Sequence, residues 1–369
     1  MVWNWQQDEW PRFLYDSQAL VELERKFLMQ SGMLLGAYLH IDPEDKKTLT
    51  IELMSNEALK TSQIEGQLLD RESLQQSIKR DLGFGTLPFR APPAEAGIAQ
   101  LMVALHRIFD MPLTARMLHQ WQAMLMNGRV DVSVVGNYRD SSEPMQVVSG
   151  RLDRPKVHFE APPVYNLKHE MNRFVRWFNK TAPGSKNTLP PIARAGLAHL
   201  YFVCIHPYED GNGRIARALA EKALAQSLSQ PSLTSLSQVI QRRKSEYYNA
   251  LASNNREMEV TEWLVQFGEM IVEAQIHTQR LIQFLIEKTR LYDRVRDRLN
   301  ERQEGALARV FREGMDGFEG GLSVGNYLSI TGASRATATR DLQEMVRLGA
   351  FTKTGQLKAT RYHLPFSVS

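Results

Sequence analysis

One stretch of twelve residues concentrates side chains and backbone features that nucleotide chemistry requires. It reads His206-Pro-Tyr-Glu-Asp-Gly-Asn-Gly-Arg-Ile-Ala-Arg217. Pro207 is expected to end the apolar helix before it, and Gly211 and Gly213 allow the backbone to turn its N–H groups toward an anion. A helix that starts near Arg214 would direct the positive end of its dipole to the same place. The stretch therefore predicts a phosphate-binding site.

Charged side chains in the same stretch meet the other requirements of nucleotidyl transfer. Arg214 and Arg217 are three residues apart, so one helix face presents both to the anion. Asp210 offers a hard oxygen ligand to a divalent cation that bridges phosphates. His206, whose ordinary pKa lies near neutrality, can accept a proton from an attacking hydroxyl. The alternative interpretation, a plain helix–loop–helix connection, leaves this density of functional groups unexplained.

The apolar spacing predicts a mainly α-helical chain around this stretch. Helices are expected at residues 17–38, 46–64, 94–109, 114–126, 166–179, 192–205, 214–227 and 240–255. Two short strand-like runs between residues 132 and 164 predict a β-hairpin, or flap. An arginine-rich helix at 291–312, a helix-turn-helix and a strand–turn–strand around Gly355 together predict a winged helix. Three domains follow, at residues 1–90, 91–290 and 291–369.

The twelve-residue stretch resembles the signature of the Fic family, H-P-F-x-[DE]-G-N-G-R-x-x-R. It departs from the signature only where Tyr208 replaces phenylalanine, a change that keeps the packing role provided that the hydroxyl finds a partner. Gly136-Asn-Tyr-Arg, Gln146-Val-Val-Ser-Gly and Ala161-Pro-Pro resemble the family's substrate-docking flap. The resemblance implies a Fic-type helical core and the transfer of AMP from ATP to a Ser, Thr or Tyr hydroxyl of a target protein.

The same resemblance implies a role for each matching residue. His206 would be the general base, and Asp210 would bind Mg²⁺, with Mn²⁺ equally suited to a single carboxylate. The implied phosphate contacts are Gly211, Asn212, Gly213, Arg214 and, for the γ-phosphate, Arg217. The implied adenine and ribose contacts are Tyr247, Tyr248 and Asn255, although both tyrosines could equally be core residues. The flap residues Val147, Val148, Ser149 and Gly150 would lie beside the nucleotide and add a target segment as an extra strand.

A second, shorter motif resembles the family's inhibitory motif, [ST]-x-x-x-E-[GN]. Thr61 and Glu65 are four residues apart and share a helix face, and Gly66 suits the end of that helix. A bidentate pair between Glu65 and Arg217 would take the γ-phosphate position and misalign the α-phosphate. This implies self-inhibition by an N-terminal helix. The alternatives are a solvated glutamate near a helix end and, as in some relatives, a glutamate that helps to remove AMP.

Composition excludes several other classes of protein. With 43% hydrophobic and 23% charged residues, the chain is typical of soluble globular proteins, and its single cysteine, Cys204, excludes a disulfide framework. No apolar run approaches the roughly 18 residues that span a bilayer. The first residues lack the pattern of a signal peptide, so we expect a cytoplasmic protein without membrane contact.

A different class of function stays open on the sequence alone. The winged helix, with Arg335 and Arg340 on its second helix, could bind DNA, and the Fic-like core would then sense nucleotide without transferring it. The net charge of +4 permits an anionic partner but does not require one. An intact His206 favours the enzyme, because a sensor needs no base. An inhibitory helix also makes a homodimer an expected mode of regulation.

Overall fold

The computed structural model describes residues 2–85, 90–151, 154–232, 234–315, 318 and 320–366, without the side chains of residues 149–151, 154–156 and 358. It divides into two compact units, Met1–Thr278 and Gln279–Ser369. This division differs from the three expected domains, whose limits stay a prediction. None of the helices in the described part of the chain is both long enough and apolar enough to span a bilayer.

The first unit is built almost entirely from helices. They are α1 (Val21–Leu39), α2 (Pro43–Ile64), α3 (Arg71–Leu82), α4 (Pro93–Arg107), α5 (Ala115–Leu125), α6 (Val164–Lys180), α7 (Pro191–Ile205), α8 (Asn212–Leu228), α9 (Leu236–Arg242), α10 (Lys244–Asn254) and the first part of α11 (Thr261–Val295). A proline in the first turn starts α2, α4 and α7, where its missing N–H costs nothing. The mainly α fold expected from the sequence is confirmed.

Helices α7 and α8 form an antiparallel hairpin at the centre of this unit. Apart from Arg194 and His199, the α7 sequence has no charged or strongly polar residues, and nearly every one of its residues is buried. A helix without a polar face can only lie inside a core. The loop between α7 and α8 therefore starts from a fixed, buried helix, and that loop contains His206 and Asp210.

The predicted flap is present as a two-stranded antiparallel hairpin. Strand β1 (Gln146–Arg151) pairs with β2 (Arg154–Glu160), and the register shifts by a bulge between Val147 and Val148. N-terminal tryptophans hold β2 against the helices: Trp5 donates its indole N–H to the Glu160 carbonyl at 2.7 Å. The aromatic N-terminus thus anchors the flap, as well as packing on its neighbours.

The second unit contains the end of α11, then α12 (Glu301–Arg312), α13 (Val324–Thr331), α14 (Arg335–Arg347), β3 (Thr352–Thr354) and β4 (Arg361–His363). Strands β3 and β4 pair antiparallel, and Leu322 bridges Tyr362. Its own apolar core includes Leu307, Leu342 and Phe351. This is the order of elements expected for a winged helix, and that assignment stays a prediction.

Two of the predicted helices are wrong in extent. The arginine-rich helix at 291–312 is interrupted, because Asn300 caps a new helix: its side chain accepts hydrogen bonds from the backbone N–H groups of Arg302 and Gln303. The helix at 240–255 breaks at Arg243 into α9 and α10. Helix α3 was not expected, although Asp70 at its start and Gly83 at its end are good cap residues.

Candidate active site

The loop between α7 and α8 takes its shape from two left-handed residues and one side-chain amide. His206 has a left-handed backbone (φ 49°, ψ 59°), a conformation that costs a non-glycine residue energy. Gly211 is also left-handed, with φ 93°, and α8 then begins at Asn212. The Asn212 side chain accepts from the Tyr208 N–H at 3.0 Å and donates to the Tyr208 carbonyl at 2.7 Å. The side-chain amide of Asn212, a residue that the family resemblance implies as a phosphate contact, therefore shapes the loop.

His206 is held as a neutral imidazole, and one of its nitrogens has no hydrogen-bond partner among the described residues. Its Nδ1 lies 3.3 Å from the Val203 carbonyl, which can only accept, so Nδ1 carries the proton. The Nε2 lone pair is then available to a substrate. Burial lowers the pKa of His206 to about 4, against the opposing effect of the Val203 hydrogen bond. At neutral pH the side chain is therefore a proton acceptor.

Arg139 holds the histidine loop to the base of the flap. Its Nε donates to the His206 carbonyl at 2.9 Å, and its backbone N–H donates to the Pro207 carbonyl at 3.0 Å. Nη2 donates to the carbonyl of Pro162, just after β2. Burial lowers the pKa of this guanidinium to about 10. Arg139 thus fixes the strained His206 backbone and joins it to the flap.

The hydroxyl of Tyr208 has a partner. It lies 3.2 Å from Nδ1 of His119, and the His119 ring packs on Tyr138 with ring centres 4.4 Å apart. The Tyr208 side chain is fully buried. Tyr208 therefore keeps the buried packing position of the signature phenylalanine, and its additional hydroxyl is hydrogen-bonded to His119.

Arg217 is buried against the end of helix α2. Its Nε donates to the Thr61 hydroxyl at 2.7 Å, and its Nη2 donates to the Thr61 carbonyl at 3.0 Å and to Glu65 Oε1 at 2.7 Å. Burial alone would lower the pKa of Arg217, but the Glu65 charge raises it. The expected bidentate pair with Glu65 is wrong. Thr61 occupies Nε and shares Nη2, and the carboxylate makes its single hydrogen bond to Nη2.

The Glu65 carboxylate lies on the backbone of Gly213, in the first turn of α8. A Cβ atom at residue 213 would come within 2.3 Å of Glu65 Oε1. The same position is 3.3 Å from Arg217 Nη1, which has no hydrogen-bond partner among the described residues. An anion thus already occupies the helix N-terminus that the sequence assigned to phosphate. Gly66 follows with φ 82° and ends the helix as expected.

Asp210 is shared between two arginines. Arg129 donates Nη1 to its Oδ2 at 2.9 Å, and Arg214 Nη2 lies 3.4 Å from its Oδ1. Arg214 also donates to Gln67, two residues after Glu65, at 3.0 Å. No group of three or more metal-ligating side chains occurs in the described residues. One accessible carboxylate fits Mg²⁺, which keeps several waters and takes its other ligands from phosphates.

A cavity of about 560 Å³ opens beside these groups. This volume is within the usual range for small-ligand sites. Lining residues among those predicted are Glu65, Val147, Val148, His206, Asp210, Gly211, Asn212, Gly213, Tyr247, Tyr248 and Asn255. Arg214, Arg217 and Thr61 are not among the described residues that line it. The Ser149 side chain is outside the described part of the chain, so the expected role of Ser149 and Gly150 stays a prediction.

The three residues expected to contact adenine and ribose differ in their surroundings. Tyr247 is buried and its hydroxyl lies 2.9 Å from His199 Nε2, so it belongs to the core as well as to the cavity wall. Tyr248 is 40% exposed. Asn255 donates Nδ2 to the His158 carbonyl at 2.9 Å, and its buried Oδ1 has no partner in the described structure. That oxygen is a candidate acceptor for a ligand amine.

Several residues contact the motif from distant positions in the chain, and the sequence assigned none of them to the phosphate site. Arg129, Arg139 and Gln67 do so from about 70 to 150 residues away. Lys244 donates Nζ to the Ile64 carbonyl at 2.6 Å and so fixes the end of α2. The Gly136-Asn-Tyr-Arg139 run was a signal for Arg139, but it pointed to the flap alone.

Solved structures of Fic proteins share this fold. A Fic family protein from Desulfovibrio desulfuricans aligns over 96% of this chain and 98% of its own, with a TM-score of 0.52 and 18% identity. A Fic domain containing signaling protein from Bacteroides thetaiotaomicron covers 72% of this chain and 97% of its own (TM-score 0.53, 20% identity). At these identities the likeness concerns the fold, and it confirms a Fic-type helical core.

Sequence comparisons agree with the fold. Residues 112–224 match the model of the Fic/DOC family, and residues 3–84 match a domain of unknown function, DUF4172. Protein adenylyltransferase Fic of Drosophila melanogaster is 36% identical over 85 residues, 23% of this chain. The match spans only 16% of the Drosophila protein's length, and the same holds for the Drosophila simulans protein. The chain therefore contains a Fic/DOC domain.

Proposed function

We propose that this protein transfers AMP from ATP to a Ser, Thr or Tyr hydroxyl of a target protein and releases pyrophosphate. The observation that carries the proposal is the neutral His206, whose free Nε2 shares one cavity with the N-terminus of α8. A binding protein needs the anion site but has no use for a free base beside it. The Fic/DOC match and the adenylyltransferase names of the relatives support the same reaction.

In the proposed mechanism the residues act mainly by orientation and charge. His206 accepts the proton of the target hydroxyl as its oxygen attacks the α-phosphorus. The first turn of α8 and Arg214 stabilise the phosphate charge that develops. The exposed side chains of Val147 and Val148 lie on β1, whose outer edge pairs with no other strand in the described structure, so a target segment can add there.

A divalent cation fits the same arrangement. Asp210 would hold Mg²⁺, or Mn²⁺, together with phosphate oxygens and water. The ion would neutralise phosphate charge and favour departure of pyrophosphate. Arg129 would keep the Asp210 carboxylate in place from the opposite side.

We further propose that the Glu65–Arg217 contact inhibits the protein. The carboxylate lies against Gly213 and Arg217, so an ATP γ-phosphate that needs the same arginine competes with it. Arg217 Nη1 is buried and has no hydrogen-bond partner among the described residues, so it can meet a phosphate only after the carboxylate moves. ATP that binds while Glu65 stays in place would therefore lie in a less productive position. Removing the Glu65 carboxylate would allow Arg217 to bind the γ-phosphate of ATP.

The test compares wild type, Glu65→Gly and Glu65→Gly/His206→Ala with α-labelled ATP, Mg²⁺ and a cell lysate. We expect labelled protein bands with Glu65→Gly, at least about tenfold stronger than with wild type, because one competing hydrogen-bonded charge is removed. The label should disappear in the double variant. Circular dichroism and ATP binding show whether all three proteins are folded.

Blank lanes from folded, ATP-binding proteins contradict the transfer reaction. A lysate labelled beforehand then tests the alternative of AMP removal, in which wild type and not Glu65→Gly releases the label. A band that survives His206→Ala contradicts the role of His206 as the base.

A further inference from the structure

A second groove lies between the N-terminal segment and helix α6. It has a volume of about 560 Å³, and Tyr201 of α7 lies among its lining residues. Four cationic side chains line it: Arg12, Arg173, Arg176 and Lys180. No carboxylate occurs among its described lining residues. The whole chain has nearly balanced charge, with 45 cationic and 41 acidic side chains. The excess of positive charge is therefore specific to this groove.

Most of this positive charge is not neutralised. Arg173 donates to the Trp10 carbonyl at 2.9 Å and lies 3.3 Å from Glu170. For Arg12, Arg176 and Lys180, the described residues provide no ion pair. Three uncompensated cations around one concave surface produce a positive potential that attracts anions.

The buried hydroxyl of Tyr201 gives an independent indication of a ligand. Its ring is enclosed by Trp10 at 5.1 Å and Trp177 at 5.7 Å between ring centres, and the residue is 1% exposed. The hydroxyl has no hydrogen-bond partner among the described residues. Buried polar groups are almost always paired, so an unpaired hydroxyl in the lining of a groove indicates a missing partner.

We propose that this groove binds a nucleoside phosphate at a site separate from the His206 cavity. Arg12, Arg176 and Lys180 would hold the phosphates, and the partly exposed Trp177 ring would stack on the base. The Tyr201 hydroxyl would donate to or accept from the ligand. The volume suits one small molecule, and the clustered cations together with an aromatic wall match a phosphate ester attached to a flat ring.

Equilibrium dialysis with labelled ATP in EDTA tests the site without any transfer reaction. The groove variant is Arg176→Ala/Lys180→Ala, and the control is Arg116→Ala/Lys168→Ala, which removes the same two charges from exposed helix positions outside the groove. We expect the groove variant to bind one mole of ATP per mole of chain less than the control, or to bind it at least about tenfold more weakly. Equal binding by the two variants overturns the proposal.

Two further arms separate the contributions. Tyr201→Phe should weaken ATP binding without lowering the unfolding temperature, and unchanged binding overturns the role of the hydroxyl. Inorganic tripolyphosphate should bind about tenfold more weakly than ATP if the ring stacks. Equal affinity overturns the role of Trp177. None of these outcomes depends on the His206 reaction, so a failed transfer assay and a failed groove are distinguishable.

Discussion

His206 combines a strained backbone with a proton-accepting side chain. The left-handed turn at this residue lets the chain leave a buried helix and still place the imidazole at a cavity. Arg139 holds this conformation through the His206 and Pro207 carbonyls. Burial then keeps the ring neutral, which a general base requires at physiological pH.

The depressed pKa of His206 predicts the pH dependence of transfer. The basic form of a histidine with a pKa of about 4 predominates above that pH. In the Glu65→Gly background, kcat/KM should therefore stay constant from about pH 7.5 down to about pH 5.5 and fall only as the pH approaches 4. The negative charge of Glu65 raises the pKa of His206. Removing Glu65 therefore cannot shift the acid limb of the pH profile to higher pH. A steady-state pH profile measures this, and an acid limb near the ordinary value of about 6.5 contradicts it.

The contact between Glu65 and Gly213 predicts a non-additive pair of substitutions. Gly213→Ala should destabilise the protein by about 1 kcal/mol, because its Cβ overlaps Glu65 Oε1 and must displace that carboxylate from its hydrogen bond with Arg217. In the Glu65→Gly background the cost should shrink by about 1 kcal/mol or more. Urea unfolding of the four proteins measures the coupling. Gly32→Ala, where a Cβ meets nothing within 4 Å, is the control and should not couple to Glu65.

Among the elements, α2 and α8 are joined by more than the Thr61–Arg217–Glu65 contact. Glu57 lies one turn before Thr61 in α2, and Glu221 lies one turn after Arg217 in α8. Both carboxyl groups are buried. Glu57 accepts from the Ser237 N–H at 2.9 Å, whereas Glu221 Oε1 has no partner among the described residues. Burial, and then the charge of Glu57, raise the pKa of Glu221 well above its ordinary range. Glu221 therefore holds the proton of the pair.

This pair predicts how stability depends on pH. A carboxyl whose pKa is higher in the folded state binds more protons there, so stability is lost as the pH rises from about 4.5 through the folded value. Glu221→Gln removes the group that must ionise. It should raise the free energy of unfolding by about 1–2 kcal/mol at pH 8 and leave it nearly unchanged at pH 4.

Urea unfolding at both pH values measures the effect. The matched control is Glu269→Gln, which makes the same substitution at an exposed glutamate of α11. A stability gain of equal size at pH 4 and pH 8 contradicts the proton assignment.

For the whole molecule, each of the two compact units has its own apolar core. The His206 cavity and the cationic groove both belong to the first unit. In the second unit, Ser334 caps α14 through the Thr337 N–H, and the Thr339 hydroxyl bonds to the Arg335 carbonyl. Those hydroxyls are engaged within the helix, whereas the side chains of Arg335 and Arg340 are exposed and available to a partner.

The DNA-binding alternative predicts a salt-dependent interaction through α14. Under it, retention of the full chain on duplex DNA falls steeply with salt, and Arg335→Ala/Arg340→Ala reduces the slope of log K against log [salt] by about two. Arg116→Ala/Lys168→Ala removes two charges from the first unit and should leave the slope unchanged. Weak retention that is insensitive to Arg335 and Arg340 contradicts a DNA-binding regulator.

The sequence by itself determined the helical class, the flap and the residues of the two motifs. These features depend on local periodicity, on cap residues and on groups within about a dozen positions of one another. The helix boundaries near Arg243 and Asn300 were missed, because a break inside an otherwise helical pattern depends on one cap or one local hydrogen bond.

Only the tertiary structure decided which groups meet. Thr61 takes the Arg217 Nε hydrogen bond that a bidentate pair with Glu65 would use. The Asn212 side chain bonds to the Tyr208 backbone, and Arg129 pairs with Asp210 from 81 residues away in the chain. Each of these contacts joins elements whose distance in the chain says nothing about their distance in space. Packing of α2 against α8 brings the Glu65 carboxylate onto Gly213, and no local pattern in either helix encodes that approach.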